Sequence, residues 1–214
     1  MDFKSKIFLI YGPTASGKSE FAIKLAKKIN GEIINADSMQ IYKELKILSA
    51  RPYKKDYPDI KHYLYGFFSV KKNFSTGDWL KLIDKKIIDL KKRKKIPILV
   101  GGTGLYFQSL INGLVKIPKI SFEFRNKVRL LQKKEGQKRF YKKLLKLDPM
   151  TKNRFDKNDV QRTIRAFEIK LFTKISMYKW LKETKPKFQE KDFLKLYIDI
   201  KREDLIKKIS ERSI

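Results

Sequence analysis

The fold class of this chain follows from residues 7–19, which read Ile7-Phe8-Leu9-Ile10-Tyr11-Gly12-Pro13-Thr14-Ala15-Ser16-Gly17-Lys18-Ser19. The first five are uncharged β-formers, a pattern typical of a buried strand in a parallel sheet. The next eight match G-x-x-x-x-G-K-[ST], the signature of a phosphate-binding loop, or P-loop. Apolar residues then recur at helical spacing from Phe21 to Ile29. This order of strand, loop and helix predicts an α/β protein with a P-loop NTPase-like core and a parallel sheet.

The chemistry of the P-loop (residues 12–19) explains the spacing of its residues. Gly12 and Gly17 let the backbone curl so that successive N–H groups point inward and form an anion nest. The following helix adds the positive end of its dipole, Lys18 can reach the outer phosphate, and the Ser19 hydroxyl can hold Mg²⁺. A chance match would occur in about one chain in a hundred, but the flanking strand and helix favour a real phosphate or diphosphate site.

The composition is that of a globular protein with a strong positive charge. The 214 residues include 42% hydrophobic and 13% aromatic residues, which argues against disorder. There are no cysteines, which excludes disulfides and thiolate metal sites and suits a cytoplasmic protein. The net charge of +29 favours a polyanionic partner such as nucleic acid, although lysine-rich proteomes produce the same excess without one.

Two features of the sequence argue against a membrane partner. Residues 1–4 lead directly into the first strand, so no signal peptide is expected. The uncharged stretch 96–115 is about as long as a membrane span, but Pro97, four glycines, Gln108 and Asn112 interrupt it. We therefore expect a strand, a glycine turn and a short helix there, in a monomeric cytoplasmic protein.

Two further predicted strands end beside the P-loop. Residues 32–38 form a strand pattern that ends in Asp37 and Ser38. Because ligands of open α/β sheets lie beyond the carboxyl ends of the strands, these two side chains should share the rim with the P-loop. Residues 96–100 form another buried-strand pattern, which leads into Gly101-Gly102-Thr103-Gly104.

The glycine turn after residue 100 has two interpretations. Glycines bring the backbone close to a ligand, and Thr103 then offers a hydroxyl at the rim. Alternatively, Thr103 is only the cap of the following helix. A simple ATPase would usually carry a Walker-B acid at such a strand end, and none occurs here.

The chain between these strands carries no assigned chemistry. Residues 50–61 are irregular, and a third strand is predicted at 62–68. Its first residue is the single histidine, His62, which we interpret as a half-buried packing residue. Ser75-Thr76-Gly77-Asp78 is a capping-box pattern that begins a helix. The basic run 91–95 ends this helix, and we interpret it as a solvated helix end.

The character of the sequence changes at Lys116. Strand patterns give way to successive helical patterns separated by basic residues, which predicts a basic helical insertion at 116–191 after a core of residues 1–115. Residues 193–200 return to period-two alternation and 204–210 begin a helix, so 192–214 rejoin the core. Within the insertion, Gln161 and Arg165 share one helix face. They could contact a nucleic acid, or they could form ordinary surface pairs, Arg165 with Glu168.

Four stretches together resemble the tRNA dimethylallyltransferases, a family that prenylates an adenosine beside the anticodon. They are residues 12–19, 37–43, 96–106, and 158–159 with 161–168. They occur in the family's order and spacing, and the resemblance covers essentially the whole chain. The first stretch is shared with many kinases, whereas the set of four is highly specific. Val160 stands where the family usually has proline, a change that should cost little at a helix start.

The resemblance implies a P-loop α/β core with a helical insertion, and family members continue past the position of Ile214. It implies that dimethylallyl diphosphate, with Mg²⁺ on Ser19, is held by Gly12, Pro13, Thr14, Ala15, Ser16, Gly17, Lys18 and Ser19. Asp37 would be the general base, with Lys18 and Thr103 as further catalytic residues. The implied tRNA contacts are Asp37, Ser38, Met39, Gln40, Thr103, Arg125, Gln161, Arg162, Thr163, Ile164 and Arg165.

Three other functions compete with tRNA prenylation at this point. A P-loop kinase of a small molecule or nucleotide would turn over ATP, and its basic insertion would be a lid. A related enzyme would prenylate free adenine nucleotides, but the basic insertion favours RNA. An inactive tRNA-binding fragment would bind tRNA without transferring a prenyl group.

Overall fold

A computed structural model describes residues 3–52 and 58–213. Its strands are β1 Ile7–Tyr11, β2 Gly31–Asn35, β3 His62–Tyr63, β4 Ile96–Gly101 and β5 Phe193–Tyr197. Its helices are α1 Lys18–Ile29, α2 Thr76–Lys92, α3 Gly104–Asn112, α4 Phe122–Glu135, α5 Gln137–Leu147, α6 Val160–Thr173, α7 Met177–Glu183 and α8 Arg202–Ser213. Part of the irregular segment predicted at 50–61 lies outside the described residues.

The five strands form one parallel sheet in the order β3-β2-β4-β1-β5. The uncharged runs of β1 and β4 are almost entirely buried, as is β2, because these three strands lie inside the sheet. Leu99 of β4 pairs with Leu9 on one side and with Ile34 on the other. Since all neighbours are parallel, the carboxyl ends of β1, β2 and β4 meet at one edge. The predicted α/β fold with a P-loop-like core and a parallel sheet is confirmed.

Helices cover both faces of the sheet because alternate strand residues point to opposite faces. On one face, Ile7 and Leu9 pack with buried side chains of α2 and α3. On the other face, Phe8 and Ile10 pack with the apolar stripe of α1. The fully buried Trp79 of α2 stacks on Tyr106 of α3, with ring centroids 4.3 Å apart. These layers fix the strand ends at which the candidate site is built.

Several local signals act as the sequence predicts. Ser75 caps α2, and it forms a capping box with Asp78. The basic residues 91–95 lie at the end of that helix and in the turn after it. The uncharged stretch 96–115 contains β4, the glycine turn and α3. Across the part of the chain that the structure describes, no helix combines the length and apolar character needed to cross a bilayer.

Three strands are shorter than predicted. The strand expected at 32–38 ends at Asn35. The strand expected at 62–68 pairs with β2 only at His62 and Tyr63, because Leu64 and Gly66 adopt left-handed backbone conformations with φ of 62° and 53°. Further along this segment, Phe68 forms an isolated parallel bridge with Tyr42. The strand expected at 193–200 ends at Tyr197. His62 is half-buried, as predicted, and burial lowers its pKa although one ring nitrogen lies 2.8 Å from the Ile60 carbonyl oxygen.

The chain divides into two compact units, Met1–Gly113 with Pro186–Ile214, and Leu114–Lys185. The first unit contains the sheet and its covering helices. The second unit consists of helices α4 to α7 and has its own apolar cluster around Phe140, Leu144 and Phe167. Its boundaries differ by two and six residues from the insertion predicted at 116–191. The second unit has no strand among its described residues.

Candidate active site

A cavity of about 400 Å³ lies at the carboxyl edge of the sheet. Residues after β1, β2 and β4 meet there, together with one side chain of α8. The lining residues are Thr14, Ala15, Ser16, Gly17, Lys18, Ser19, Glu20, Asp37, Gln40, Ser49, Ala50, Val100, Gly101 and Lys208. The sequence prediction that Asp37 and the P-loop share one rim is therefore confirmed by the geometry.

The P-loop has the backbone conformation that an anion cradle requires. Gly17 begins α1 with a φ of 84°, a value that favours glycine. A Cβ atom on Gly12 would lie 2.6 Å from the carbonyl oxygen of Ile198, so a larger residue would displace the strand end. Ala15 also has a left-handed φ, of 63°. The first amides of α1 have no carbonyl partner within their helix and can bind an anion.

Lys18 and the serines of the P-loop occupy different positions. The Lys18 ammonium donates a hydrogen bond to the Pro13 carbonyl and lies 3.5 Å from the Ser16 hydroxyl oxygen. Ser16 is buried, whereas Ser19 is exposed at the start of α1. The ammonium thus lies against the loop where a phosphate would bind, and the Ser19 hydroxyl is open to the cavity.

Asp37 presents a carboxylate to this cavity. It is half-buried, and its Oδ1 atom accepts a hydrogen bond of 2.8 Å from the Met39 amide. No residue in the described ranges donates a hydrogen bond to its Oδ2 atom. A carboxylate with one oxygen fixed and the other open can accept a proton from a bound substrate.

Thr103 connects the turn after β4 to the segment after β2. Its hydroxyl oxygen accepts a hydrogen bond of 2.9 Å from the Ser38 amide, and the hydroxyl donates to the Ser38 side chain at 3.2 Å. Its amide donates to the Ala36 carbonyl at 3.3 Å. Thr103 occupies the N-cap position of α3, but its side chain makes no capping hydrogen bond. The hydroxyl therefore holds Ser38 beside Asp37 instead of capping the helix.

The other residues predicted around the target base differ in exposure. Met39 is exposed, and Gln40 lines the cavity. The side-chain Nε2 atom of Gln40 donates to the main-chain carbonyl oxygens of Ser49 and Ala50, at 2.9 and 3.4 Å. Gln40 therefore holds a wall of the cavity, and its contact with a substrate stays a prediction.

Two tyrosines near Asp37 remain neutral at physiological pH. Burial raises the pKa of the Tyr106 phenol to about 12, and the negative charge of Asp37 adds to the effect. Burial, together with the charge of Asp37, also raises the pKa of Tyr65 well above its usual value. Both phenols therefore add no charge beside the Asp37 carboxylate.

In the helical unit, α6 carries the predicted tRNA contacts. Asp159 caps this helix by accepting a hydrogen bond of 2.9 Å from the Arg162 amide. Gln161 and Arg162 are exposed. Arg165 pairs with Glu168 at 3.3 Å, and the Glu168 side chain is only 4% exposed while that of Arg165 is 39% exposed. The pair suggested by the sequence is present, and it leaves part of the Arg165 guanidinium accessible.

Two of the predicted tRNA contacts face the core of the helical unit. Thr163 is fully buried, and its hydroxyl donates to the Asp159 carbonyl at 2.6 Å while accepting from Gln137. Ile164 packs against the apolar cluster of this unit. The structure excludes a side-chain contact with tRNA for Thr163, because its side chain has no exposed surface. The contact of Ile164, which is half-buried, stays a prediction. Arg125 is half-buried, and its Nε atom has no hydrogen-bond partner within the described residues.

The set of predicted site residues omits three residues that line the cavity or hold its lining residues. Lys208 of α8 lines it, but the helical pattern at 204–210 gave no reason to single out this lysine. Gly101 approaches the β2 end so closely that a Cβ atom would lie 2.1 Å from the Ala36 carbonyl oxygen. Asn35 is fully buried and hydrogen-bonds to both sides of the Asp37 residue. The glycine pair 101–102 signalled a close approach, whereas the Asn35 contacts depend on chain geometry that no motif encodes.

This chain is similar to known proteins over nearly its whole length. The family model described as IPP transferase matches residues 40–213. The tRNA dimethylallyltransferase of Pelagibacter ubique (strain HTCC1062) is 68% identical over 213 residues, which span 100% of this chain and 68% of that protein. The tRNA dimethylallyltransferase of Rickettsia massiliae (strain Mtu5) is 43% identical, and the match spans 98% of this chain but 58% of that protein.

Solved structures give the same assignment. A eukaryotic dimethylallyltransferase acting on tRNA matches 97% of this chain with a TM-score of 0.82 and 30% identity, over 51% of its own length. A tRNA isopentenylpyrophosphate transferase from Staphylococcus epidermidis matches 97% of this chain with a TM-score of 0.58 and 34% identity. The family model and these relatives together show that this chain belongs to the IPP transferase family of tRNA dimethylallyltransferases.

Proposed function

We propose that this chain transfers the dimethylallyl group of dimethylallyl diphosphate to the exocyclic N6 atom of an adenosine beside the anticodon of tRNA. The observation that carries the proposal is that the P-loop and the Asp37 carboxylate line one cavity. The names of its relatives support the reaction, and the eukaryotic structural neighbour is described as acting on tRNA. The chain spans about two thirds or less of the length of these relatives.

Asp37 answers the main chemical difficulty of this reaction. The adenine amine is a poor nucleophile because its nitrogen lone pair is shared with the ring. As the N6–carbon bond forms at the allylic carbon, the amine proton must leave. Asp37 accepts that proton through Oδ2, which accepts no hydrogen bond from a described residue. General base catalysis of this kind typically raises a rate by ~10²–10⁴.

The P-loop stabilises the diphosphate leaving group. The carbon–oxygen bond to the diphosphate breaks, and negative charge grows on the leaving group. The loop amides, the positive end of α1 and the Lys18 ammonium meet this charge in a preformed site. The exposed Ser19 hydroxyl would be a ligand for Mg²⁺, which would supply further positive charge to the diphosphate.

Electrostatics support tRNA as the acceptor. The helical unit Leu114–Lys185 contains 22 lysines and arginines and seven aspartates and glutamates, a net charge of +15. Gln161 and Arg162 lie on its surface, and Arg165 is partly exposed. Such a surface favours a nucleic-acid backbone through counterion release. An adenosine in a loop can leave its stack at modest cost and enter a pocket.

The proposal is tested by incubating the chain with labelled dimethylallyl diphosphate, Mg²⁺ and unmodified tRNA. We expect label on a tRNA adenosine and none on free AMP or ADP. Hydrolysis of ATP without prenyl transfer would indicate a P-loop kinase instead, although β4 ends in Gly101 and carries no acid there. Tight tRNA binding without transfer would indicate a binding fragment and would contradict the proposal.

A further inference from the structure

We propose that Asn35 is a positioning residue that holds the Asp37 main chain so that the carboxylate points into the cavity. The inference rests on the proposed function for its catalytic consequence, but the contacts that carry it belong to the fold itself. Asn35 is the last residue of β2 and is fully buried. A fully buried amide needs a partner for each of its polar atoms, because an unpaired one costs free energy.

The Asn35 side chain satisfies this requirement by bonding to both sides of Asp37. Its Oδ1 atom accepts a hydrogen bond of 2.9 Å from the Asp37 amide. Its Nδ2 atom donates to the Asp37 carbonyl oxygen at 2.9 Å and to the Leu64 carbonyl oxygen at 3.0 Å. Both main-chain polar groups of the proposed base are thus held by one side chain.

The Asn35 main chain is itself anchored in the core. Its carbonyl oxygen accepts a hydrogen bond of 3.1 Å from the indole nitrogen of Trp79. Trp79 is fully buried and stacks on Tyr106 with an interplanar angle of 12°. On the other side, Gly101 allows β4 to approach the Ala36 and Asp37 main chain. Asn35 therefore connects the stacked pair of Trp79 and Tyr106 to the main chain of Asp37.

The hydrogen-bond chemistry explains why asparagine serves here. Leucine fills a similar volume but offers no donor or acceptor. Aspartate keeps the acceptor for the Asp37 amide, but its second oxygen would face two carbonyl oxygens and repel them. Serine is too short to reach both sides of Asp37. Asparagine combines the acceptor and the two donors that this position requires.

A fixed Asp37 main chain matters because proton transfer depends on distance. Displacement of a reacting group by about 1 Å can reduce a rate by ~10². Among the described residues, the Met39 amide alone donates a hydrogen bond to the Asp37 carboxylate, and this contact lies within the same turn. Without Asn35, the turn after β2 would sample other orientations, and the bound adenosine would meet a misdirected base.

The test separates positioning from general stability. The variants are Asn35→Ala, which removes all three hydrogen bonds, and Asn35→Asp, which keeps one acceptor. The control is Leu90→Ala, because Leu90 is buried on α2 about 16 Å along the helix from Trp79 and makes none of the hydrogen bonds described here. Each protein is the full chain. The two measurements are hydrogen exchange of the Asp37 amide and steady-state dimethylallyl transfer to tRNA.

We expect the Asp37 amide to exchange about tenfold or more faster in Asn35→Ala than in the control, and less so in Asn35→Asp. We expect kcat to fall by about 10- to 100-fold in both variants, with KM for tRNA changed by about twofold or less. Unchanged exchange in Asn35→Ala would overturn the inference. Faster exchange with kcat equal to that of the control would also overturn it, because Asn35 would then be only structural.

The failure of this inference can be distinguished from failure of the proposed function. If the unsubstituted chain transfers no prenyl group to tRNA, the proposed function fails. Hydrogen exchange at Asp37 then still decides whether Asn35 holds its main chain. Suppose instead that the unsubstituted chain transfers the prenyl group and Asp37→Asn does not. If Asn35→Ala then has the same kcat and the same Asp37 amide exchange as Leu90→Ala, the proposed function stands and the inference about Asn35 fails.

Discussion

At the scale of single residues, the site depends on a carboxylate whose two oxygens differ. The Met39 amide holds Oδ1 of Asp37, and Oδ2 has no donor among the described residues. Thr103 holds Ser38 next to it through two hydrogen bonds. These contacts leave one oxygen of Asp37 available for a substrate proton while its position is fixed. The base role of Asp37 can therefore be tested by removing its charge and keeping its shape.

We predict that Asp37→Asn lowers kcat for dimethylallyl transfer by ~10²–10⁴. The amide cannot accept the adenine proton, but it keeps the size and the Oδ1 acceptor of the aspartate. Affinity for tRNA, measured by filter binding, should stay within about twofold. Transfer at the original rate would remove Asp37 from the base role.

A second prediction at the scale of single residues concerns the arginines of α6. Arg162 is exposed, and within the described ranges its one ion pair is with Asp159, the N-cap of the same helix, at 3.4 Å. Arg162→Ala should weaken tRNA binding and reduce the slope of log K against log salt by about one. Arg165→Ala should also lower the stability of the helical unit, because Glu168 would be buried without its partner.

The matched control for Arg162 is Lys152→Ala, which removes another exposed cation of the helical unit outside the predicted set. The salt slope is obtained from tRNA binding titrations at several salt concentrations. An unchanged slope for Arg162→Ala would mean that Arg162 does not contact a phosphate of tRNA.

At the scale of secondary-structure elements, the sequence predicts what local chemistry controls. The buried runs of β1 and β4, the P-loop and the Ser75 capping box appear where their patterns place them. The end of β3 could not be predicted, because the left-handed conformation of Leu64 depends on its tertiary setting. For the same reason the pairing of Thr103 with Ser38, 65 residues apart, has no signature in the sequence.

Because β4 approaches the end of β2 closely, we expect substitutions at two neighbouring glycines to differ in their effect on stability. Gly101→Ala should lower the free energy of unfolding by about 1–3 kcal/mol, because its Cβ would overlap the Ala36 carbonyl group. Gly102→Ala is the control, since the nearest atom to its Cβ is 3.7 Å away. Chemical denaturation measures both. Equal stabilities of the two variants would contradict the close approach.

The opposite end of β2 carries a buried ion pair whose effect depends on pH. Glu32 accepts two hydrogen bonds from Arg93, at 3.2 and 3.0 Å, and one of 2.7 Å from Tyr63. Burial alone would raise the pKa of Glu32, but these hydrogen bonds lower it below the usual range. A lowered carboxylate pKa stabilises the fold above about pH 4.3, and the effect is lost as the pH falls further.

We predict that Glu32→Gln lowers the free energy of unfolding by about 1–3 kcal/mol at pH 7, a range that allows for the partly exposed Arg93. The difference should shrink as the pH falls below about 4, where the wild-type carboxylate becomes protonated. Denaturation curves at a series of pH values measure it. A difference that stays constant down to pH 3 would exclude the ion pair as its cause.

At the scale of the whole molecule, the chain combines a P-loop α/β unit with a basic helical unit. The first contains the cavity with the P-loop and Asp37. The second carries a net charge of +15, about half of the +29 of the chain. In this account, the first unit supplies the chemistry and the second supplies affinity for the phosphate backbone of tRNA. The two properties can be measured separately.

The central claim concerns where the two substrates meet. The most direct measurement is a crystal structure of the chain with an anticodon stem–loop and an unreactive analogue of dimethylallyl diphosphate. We predict that the diphosphate lies on the P-loop amides beside Lys18, with an Asp37 oxygen at about 2.6–3.2 Å from the N6 atom of an extruded adenosine. The claim would be contradicted by an adenosine outside the cavity or by an Asp37 carboxylate directed away from N6.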